Sequence, residues 1–188
     1  MKSVLISIQP KWVEKIASGK KTIEVRKSKP KLETPFKCYI YETKGKQVEH
    51  CDGCDVTFYG RGKVIGEFIC DEIEEVPENI FTPTFTRILA ESHLTDQEML
   101  AYKNEKTVCG WRIYAVKIYN KSKELSEFKA ICNKVKHYET ESKDFFDHCL
   151  HCEYLTEKTS CLDSFACGKF ITRPPQSWCY VESLGGEL

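Results

Sequence analysis

Residues 4–8 are largely β-branched or apolar (Val4, Leu5, Ile6, Ile8) and predict a first strand. Pro10 then opens a helix, where its missing N–H costs nothing. Val13, Ile16 and Ala17 form the helix's apolar face, and Gly19 stops it. Over residues 20–26 the period becomes two: Ile23 and Val25 project one way, Thr22, Glu24 and Arg26 the other. Residues 36–41 alternate again, with Phe36, Cys38 and Ile40 on one face and Lys37, Tyr39 and Tyr41 on the other. Residues 44–60 read as a hairpin insertion, and 62–76 start as a strand and turn acidic. A short helix is expected over 88–94. Thr95-Asp96-Gln97-Glu98 is a capping-box pattern that opens another. Residues 111–119 and 176–181 read as strands, and 144–154 is helix-compatible. Many strands, few helices and short hairpin connections predict an α+β fold built on a small closed mixed barrel rather than a parallel sheet.

The chain has 188 residues, which suits one domain or a domain with an extension. Apolar residues make up 41%, which is ordinary globular usage. No stretch approaches the roughly 18 apolar residues of a membrane span, and the N-terminal apolar run is short for a signal peptide. A cytoplasmic protein with no membrane partner is therefore expected. The 28 basic and 28 acidic residues cancel, but unevenly along the chain. Residues 1–46 hold 12 basic and 4 acidic side chains, and the remainder hold 16 and 24. A compact fold can gather the first set into a patch that attracts phosphates, or leave it as a solvated surface. The 11 cysteines, without a secretory signal, point to metal binding before a disulfide framework.

Several segments resemble the ASCH domain family within the PUA-like superfamily. They are Ser7-Ile8-Gln9-Pro10-Lys11, Ser18-Gly19-Lys20-Lys21-Thr22-Ile23-Glu24-Val25-Arg26, Gly66-Glu67-Phe68 and Trp111-Arg112-Ile113. Leu125-Ser126-Glu127-Phe128 resembles the usual ending of that domain, which places it at residues 1–130. Residues 131–188 form a Cys-rich extension whose last strand can pack back on the barrel, and Pro174-Pro175-Gln176-Ser177-Trp178-Cys179-Tyr180-Val181 resembles the tail of longer, prophage-type members. The resemblance implies a β-barrel with flanking helices, a cleft at the Gly-Lys-Lys motif, and binding of RNA or other nucleic acid. It also implies a possible enzyme, since one branch of the family hydrolyses the acetyl group of N4-acetylcytidine with a lysine, a threonine and a glutamate. Lys21 matches the lysine, Glu24 stands where the threonine is expected, and Glu91 matches the glutamate after a one-residue shift.

The residues themselves allow several chemistries. Lys21 can contact a phosphate as a point charge, act as base or nucleophile if burial lowers its pKa, or sit in solvent. Glu24 and Arg26, two apart on one face, are within reach of each other for a salt bridge or a shared ligand. Lys20, Lys21, Arg26, Lys27, Lys29, Lys31 and Lys37, beside Tyr39 and Tyr41, combine cations with stacking surfaces, as single-strand sites do. The tyrosines can equally pack beneath a helix, and Trp12 and Trp111 read as core. Cys149, Cys152, Cys161 and Cys167 offer four thiolates for zinc, with His148 and His151 as alternative ligands. Cys149 and Cys152 can instead pack as small hydrophobes. Cys51 and Cys54 read as a weaker metal pair or a plain Asp-Gly turn. The sequence therefore sets nucleic-acid binding in a basic cleft beside two alternatives: amidohydrolysis of a modified nucleoside, and a zinc-stabilised protein-interaction module.

Overall fold

The computed structural model describes residues 2–51, 53–104, 106–131 and 170–185. Strand β1 (Lys2–Ile8) leads into helix α1 (Pro10–Ala17), with Pro10 in its first turn as its fixed φ requires. Gly19 follows at φ 73°, a left-handed conformation that ends the helix. Strand β2 (Ile23–Arg26) and strand β3 (Phe36–Glu42) come next, then the hairpin β4 (Gly45–Cys51) and β5 (Cys54–Gly60). The long strand β6 (Lys63–Glu75) precedes helices α2 (Pro83–Ser92) and α3 (Asp96–Lys103). Strand β7 (Cys109–Lys123), a 3-10 turn (Leu125–Glu127) and strand β8 (Trp178–Glu182) complete the fold.

Both caps expected from local chemistry are present at α3. The Thr95 side chain accepts from Glu98 N, and Glu98 reaches back to Thr95 N. Helix α2 starts five residues earlier than the apolar pattern suggested. Thr82 caps it and Pro83 occupies its first turn, a start signal that apolar periodicity does not contain.

Six strands form one mixed sheet in the order β2-β7-β6-β3-β1-β8, with β1 and β3 parallel and the other pairs antiparallel. The sheet curls into a half-barrel, so the expected closed barrel is corrected: the strand order ends at β2 and β8. A side chain spans the gap instead. Arg26, on β2, donates to the Ser7 carbonyl of β1 at 2.5 Å and lies 3.4 Å from Ser177 Oγ, just before β8.

Three apolar clusters hold these elements. The inner one joins Val4, Ile6, Phe36, Cys38, Ile40, Phe68 and Trp111 with Val13 and Ile16 of α1. A second covers the other face of β1 and β3 with Phe128, Ile171 and Val181, and it buries Tyr39 and Tyr41. The third packs Ile23 and Val25 of β2 against Phe85, Ile88 and Met99 of α2 and α3. The hairpin β4–β5 closes tightly over α1: a Cβ at Gly60 would fall 1.7 Å from Thr43 O and 2.7 Å from Pro10 Cγ, so only glycine fits.

Candidate functional site

An open cavity of about 810 Å³ lies between α1, β2, the hairpin and α3, with Ser7 and Gln176 also in its wall. Its position follows from local folding. The Lys20-Lys21-Thr22 segment docks on the last turn of α2, where Thr22 N donates to Glu91 O and Lys21 Nζ donates to Ser92 O at 2.7 Å. The free carbonyls of a helix C-terminus carry partial negative charge, which suits an ammonium group. From there β2 carries Glu24 and Arg26 into the cavity wall.

Lys21, Glu24 and Arg26 form a buried charged triad. Lys21 Nζ lies 3.4 Å from Glu24 Oε2, and Arg26 Nη2 lies 3.0 Å from Glu24 Oε1. Lys21 is 2% exposed, Glu24 6% and Arg26 8%. Burial lowers the Lys21 pKa below that of a free lysine, and the Glu24 charge only partly restores it. Glu24 Oε2 and Arg26 Nε have no hydrogen-bond partner among the described residues. The arrangement favours the neutral amine of Lys21 more than water would, in a partly desolvated wall.

The rim is a second ionic set. Lys11 Nζ lies 3.2 Å from Glu49 Oε1 and 3.3 Å from Glu98 Oε1, and Lys15 lies 3.0 Å from Glu49. Burial opposes the ionised Glu98 carboxylate, but the Thr95 N–H and Lys11 outweigh it and hold its pKa low. Among the cavity-lining residues Lys11, Lys21 and Arg26 face Glu24 and Glu98, so the site is close to charge-balanced. Two aromatic residues complete it. Trp12 has the ammonium groups of Lys11, Lys21 and Lys15 over its ring at 4.3, 5.0 and 5.2 Å, and Tyr102 has Lys27 at 5.1 Å.

The structure therefore gathers only part of the candidate set. Lys21, Glu24 and Arg26 come together in the wall. Lys20, Lys27, Lys29 and Lys31 are exposed, and Lys27 borders the cavity through Tyr102. Lys37 is outside the lining: it pairs with Glu67 at 3.6 Å. Tyr39 and Tyr41, 0% and 4% exposed, are core residues and offer no stacking face, because Phe128 and Val181 cover that side of β3. Glu91 sends its carboxylate to Arg87 at 3.2 Å and is absent from the lining. Glu98 supplies the acidic group on that side. Trp111 is core, whereas Trp12, read as core, lines the cavity. Tyr102 carries little sequence signal, since helix α3 has a weak apolar pattern; only its position three residues beyond Met99 points to a shared face.

Cys149, Cys152, Cys161, Cys167, His148 and His151 lie outside the described residues. Among the described residues no group of three or more metal-ligating side chains occurs, and no helix is long and apolar enough to cross a membrane.

A curled mixed sheet with a helix-flanked cavity behind a Gly-Lys-Lys-Thr turn defines a class, and comparison with known proteins identifies it. The ASCH domain profile matches residues 6–157, so the chain belongs to the ASCH domain family. In fold it is similar to an ASCH protein from Zymomonas mobilis, at 17% identity and TM-score 0.54, covering 96% of this chain and 87% of that one. A tyrosine-to-phenylalanine variant of that protein gives 0.55 at 17% identity, covering 97% and 91%. A serine-to-alanine variant gives 0.54 at 16%, covering 96% and 88%. No curated protein matches the chain.

Proposed function

We propose that this protein binds single-stranded nucleic acid, preferably RNA, by taking a base into the cavity while neighbouring phosphates meet the exposed lysines. One observation carries the reading. Two aromatic rings, Trp12 and Tyr102, flank a nearly charge-balanced pocket, while the exposed cations Lys27, Lys29 and Lys31 stand in the loop after β2. A base is neutral and stacks; a phosphate is charged and remains hydrated. The division of charge between pocket and loop matches that division of ligand.

Fluorescence anisotropy with a labelled single-stranded RNA tests it. If three phosphates are neutralised, log Kd should change with log salt with a slope of magnitude about 2, from roughly 0.7 per phosphate. Trp12→Ala should weaken binding about tenfold, the lower part of the range for one lost stacking partner. Binding independent of salt, or absent for every member of a random RNA pool, overturns the reading.

A second reading is favoured by the lowered pKa of the buried Lys21: hydrolysis of an amide on a modified nucleoside such as N4-acetylcytidine. Neutral Lys21 would take a proton from water as its oxygen attacks the acyl carbon. The C–N bond breaks, the amine leaves protonated, and acetate and cytidine result. Chromatography should then detect cytidine with the wild type and none with Lys21→Ala. No product from concentrated wild-type protein excludes it.

A further inference from the structure

The first turn of α1 fixes the polarity of the cavity rim. Pro10 has no N–H, and the amides of Trp12 and Val13 both donate to Gln9 O, at 2.9 and 3.0 Å. Lys11 N–H is thus the first orphan donor of the helix. It is satisfied from the hairpin, by Gln47 Oε1 at 3.0 Å. A backbone N–H can only donate, so the Gln47 carboxamide must place its oxygen there and its nitrogen opposite. That nitrogen donates to Gln9 Oε1 at 2.7 Å. By the same logic the Gln9 oxygen is engaged and its NH₂ is left over. Among the described residues no protein group accepts from the Gln9 nitrogen, and both glutamines line the cavity.

We propose that Gln9 is a specificity-determining residue that turns its free NH₂ toward the bound base, so the site selects a keto oxygen over an exocyclic amine at that point. Gln47 is the positioning residue that sets this polarity. The inference rests on the nucleic-acid reading given above and names the base chemistry within it. A base with an amino group at that point would oppose donor to donor. Both groups would then be unpaired where the bound ligand excludes water, and discrimination of about tenfold is expected.

The test uses short strands carrying one base among abasic sugars, so that a single base can occupy the cavity. Uridine is compared with cytidine, and inosine with adenosine; each pair exchanges a keto group for an amine. The wild type should favour the keto member of at least one pair by about tenfold. Gln9→Ala should bring that ratio close to one while the strands still bind. Gln47→Glu provides the sharper check. A carboxylate can still accept from Lys11 N–H, but its second oxygen cannot donate, so the Gln9 amide must flip and turn its oxygen outward. The added charge weakens both members alike, and the ratio should invert toward the amino base. Equal binding of both members of both pairs, or a ratio untouched by Gln9→Ala, overturns the proposal while leaving nucleic-acid binding intact. Failure of every strand to bind the wild type overturns the nucleic-acid reading, and this inference with it.

Discussion

Glu24→Gln is expected to lower stability by about 3–5 kcal/mol at neutral pH, the usual cost of breaking a buried ion pair from one side. In a chain of this size that corresponds to a fall of about 10 °C in the thermal midpoint. The substitution keeps the shape of the side chain and removes only the charge that lies 3.0 Å from Arg26 and 3.4 Å from Lys21. Arg26 cannot lose its proton. Lys21 can, and its pKa is already lowered by burial, with Glu24 the main influence raising it. Removing Glu24 lowers it further, so between that folded pKa and the unfolded value near 10.5 the unfolded chain binds more protons than the native one. Stability then rises with pH. The defect of Glu24→Gln should accordingly narrow as pH is raised from 7 toward 10, and a Lys21→Met, Glu24→Gln double variant should lose most of that dependence. Calorimetry at several pH values reads both. A stability change within 1 kcal/mol of wild type at pH 7 would show that the triad is hydrated and contributes little.

Ending the chain at residue 131 is expected to abolish cooperative folding. Strand β8 covers the outer edge of β1 through five register pairs, from Lys2 with Glu182 to Ile6 with Trp178. It buries Cys179, Tyr180 and Val181, and it places Trp178 5.9 Å from Trp111. Three to four apolar side chains at about 1.5–3 kcal/mol each equal the whole stability of a typical domain. The same deletion removes Ser177, one of the three groups that hold Arg26, and Gln176 from the cavity wall. A synthetic peptide of residues 170–185 should restore ordered structure when added to the truncated chain. A truncated chain with a sharp thermal transition and native circular dichroism would refute this.

Much of the fold was legible locally. The alternation of residues 36–41, the proline at the start of α1, the glycine after it and the Thr95 capping box each act within a few residues, where sequence neighbours decide the outcome. The Lys21–Glu24–Arg26 set was legible for the same reason: strand period puts Glu24 and Arg26 on one face whatever surrounds them. Tyr39 and Tyr41 were not, because alternation shows which residues share a face and not what covers it. Their cover comes from Phe128, Ile171 and Val181, residues about 90–140 positions away along the chain. The direction of the Glu91 side chain was not legible either. Its carboxylate turns to Arg87 one turn back along α2, and no residue of that helix is among the cavity-lining residues.

By itself, then, the amino-acid order determined the strands and helices, their caps, and the charged set at the start of β2. Tertiary structure alone decided which aromatic residues remain accessible, that Arg26 bridges an open sheet edge, and that Lys11 N–H orients Gln47 and through it Gln9. The physical reason is range. Capping and periodicity are settled by bonds between near neighbours, whereas burial and the polarity of an amide depend on partners that meet only when segments 36 to 151 residues apart are brought into contact.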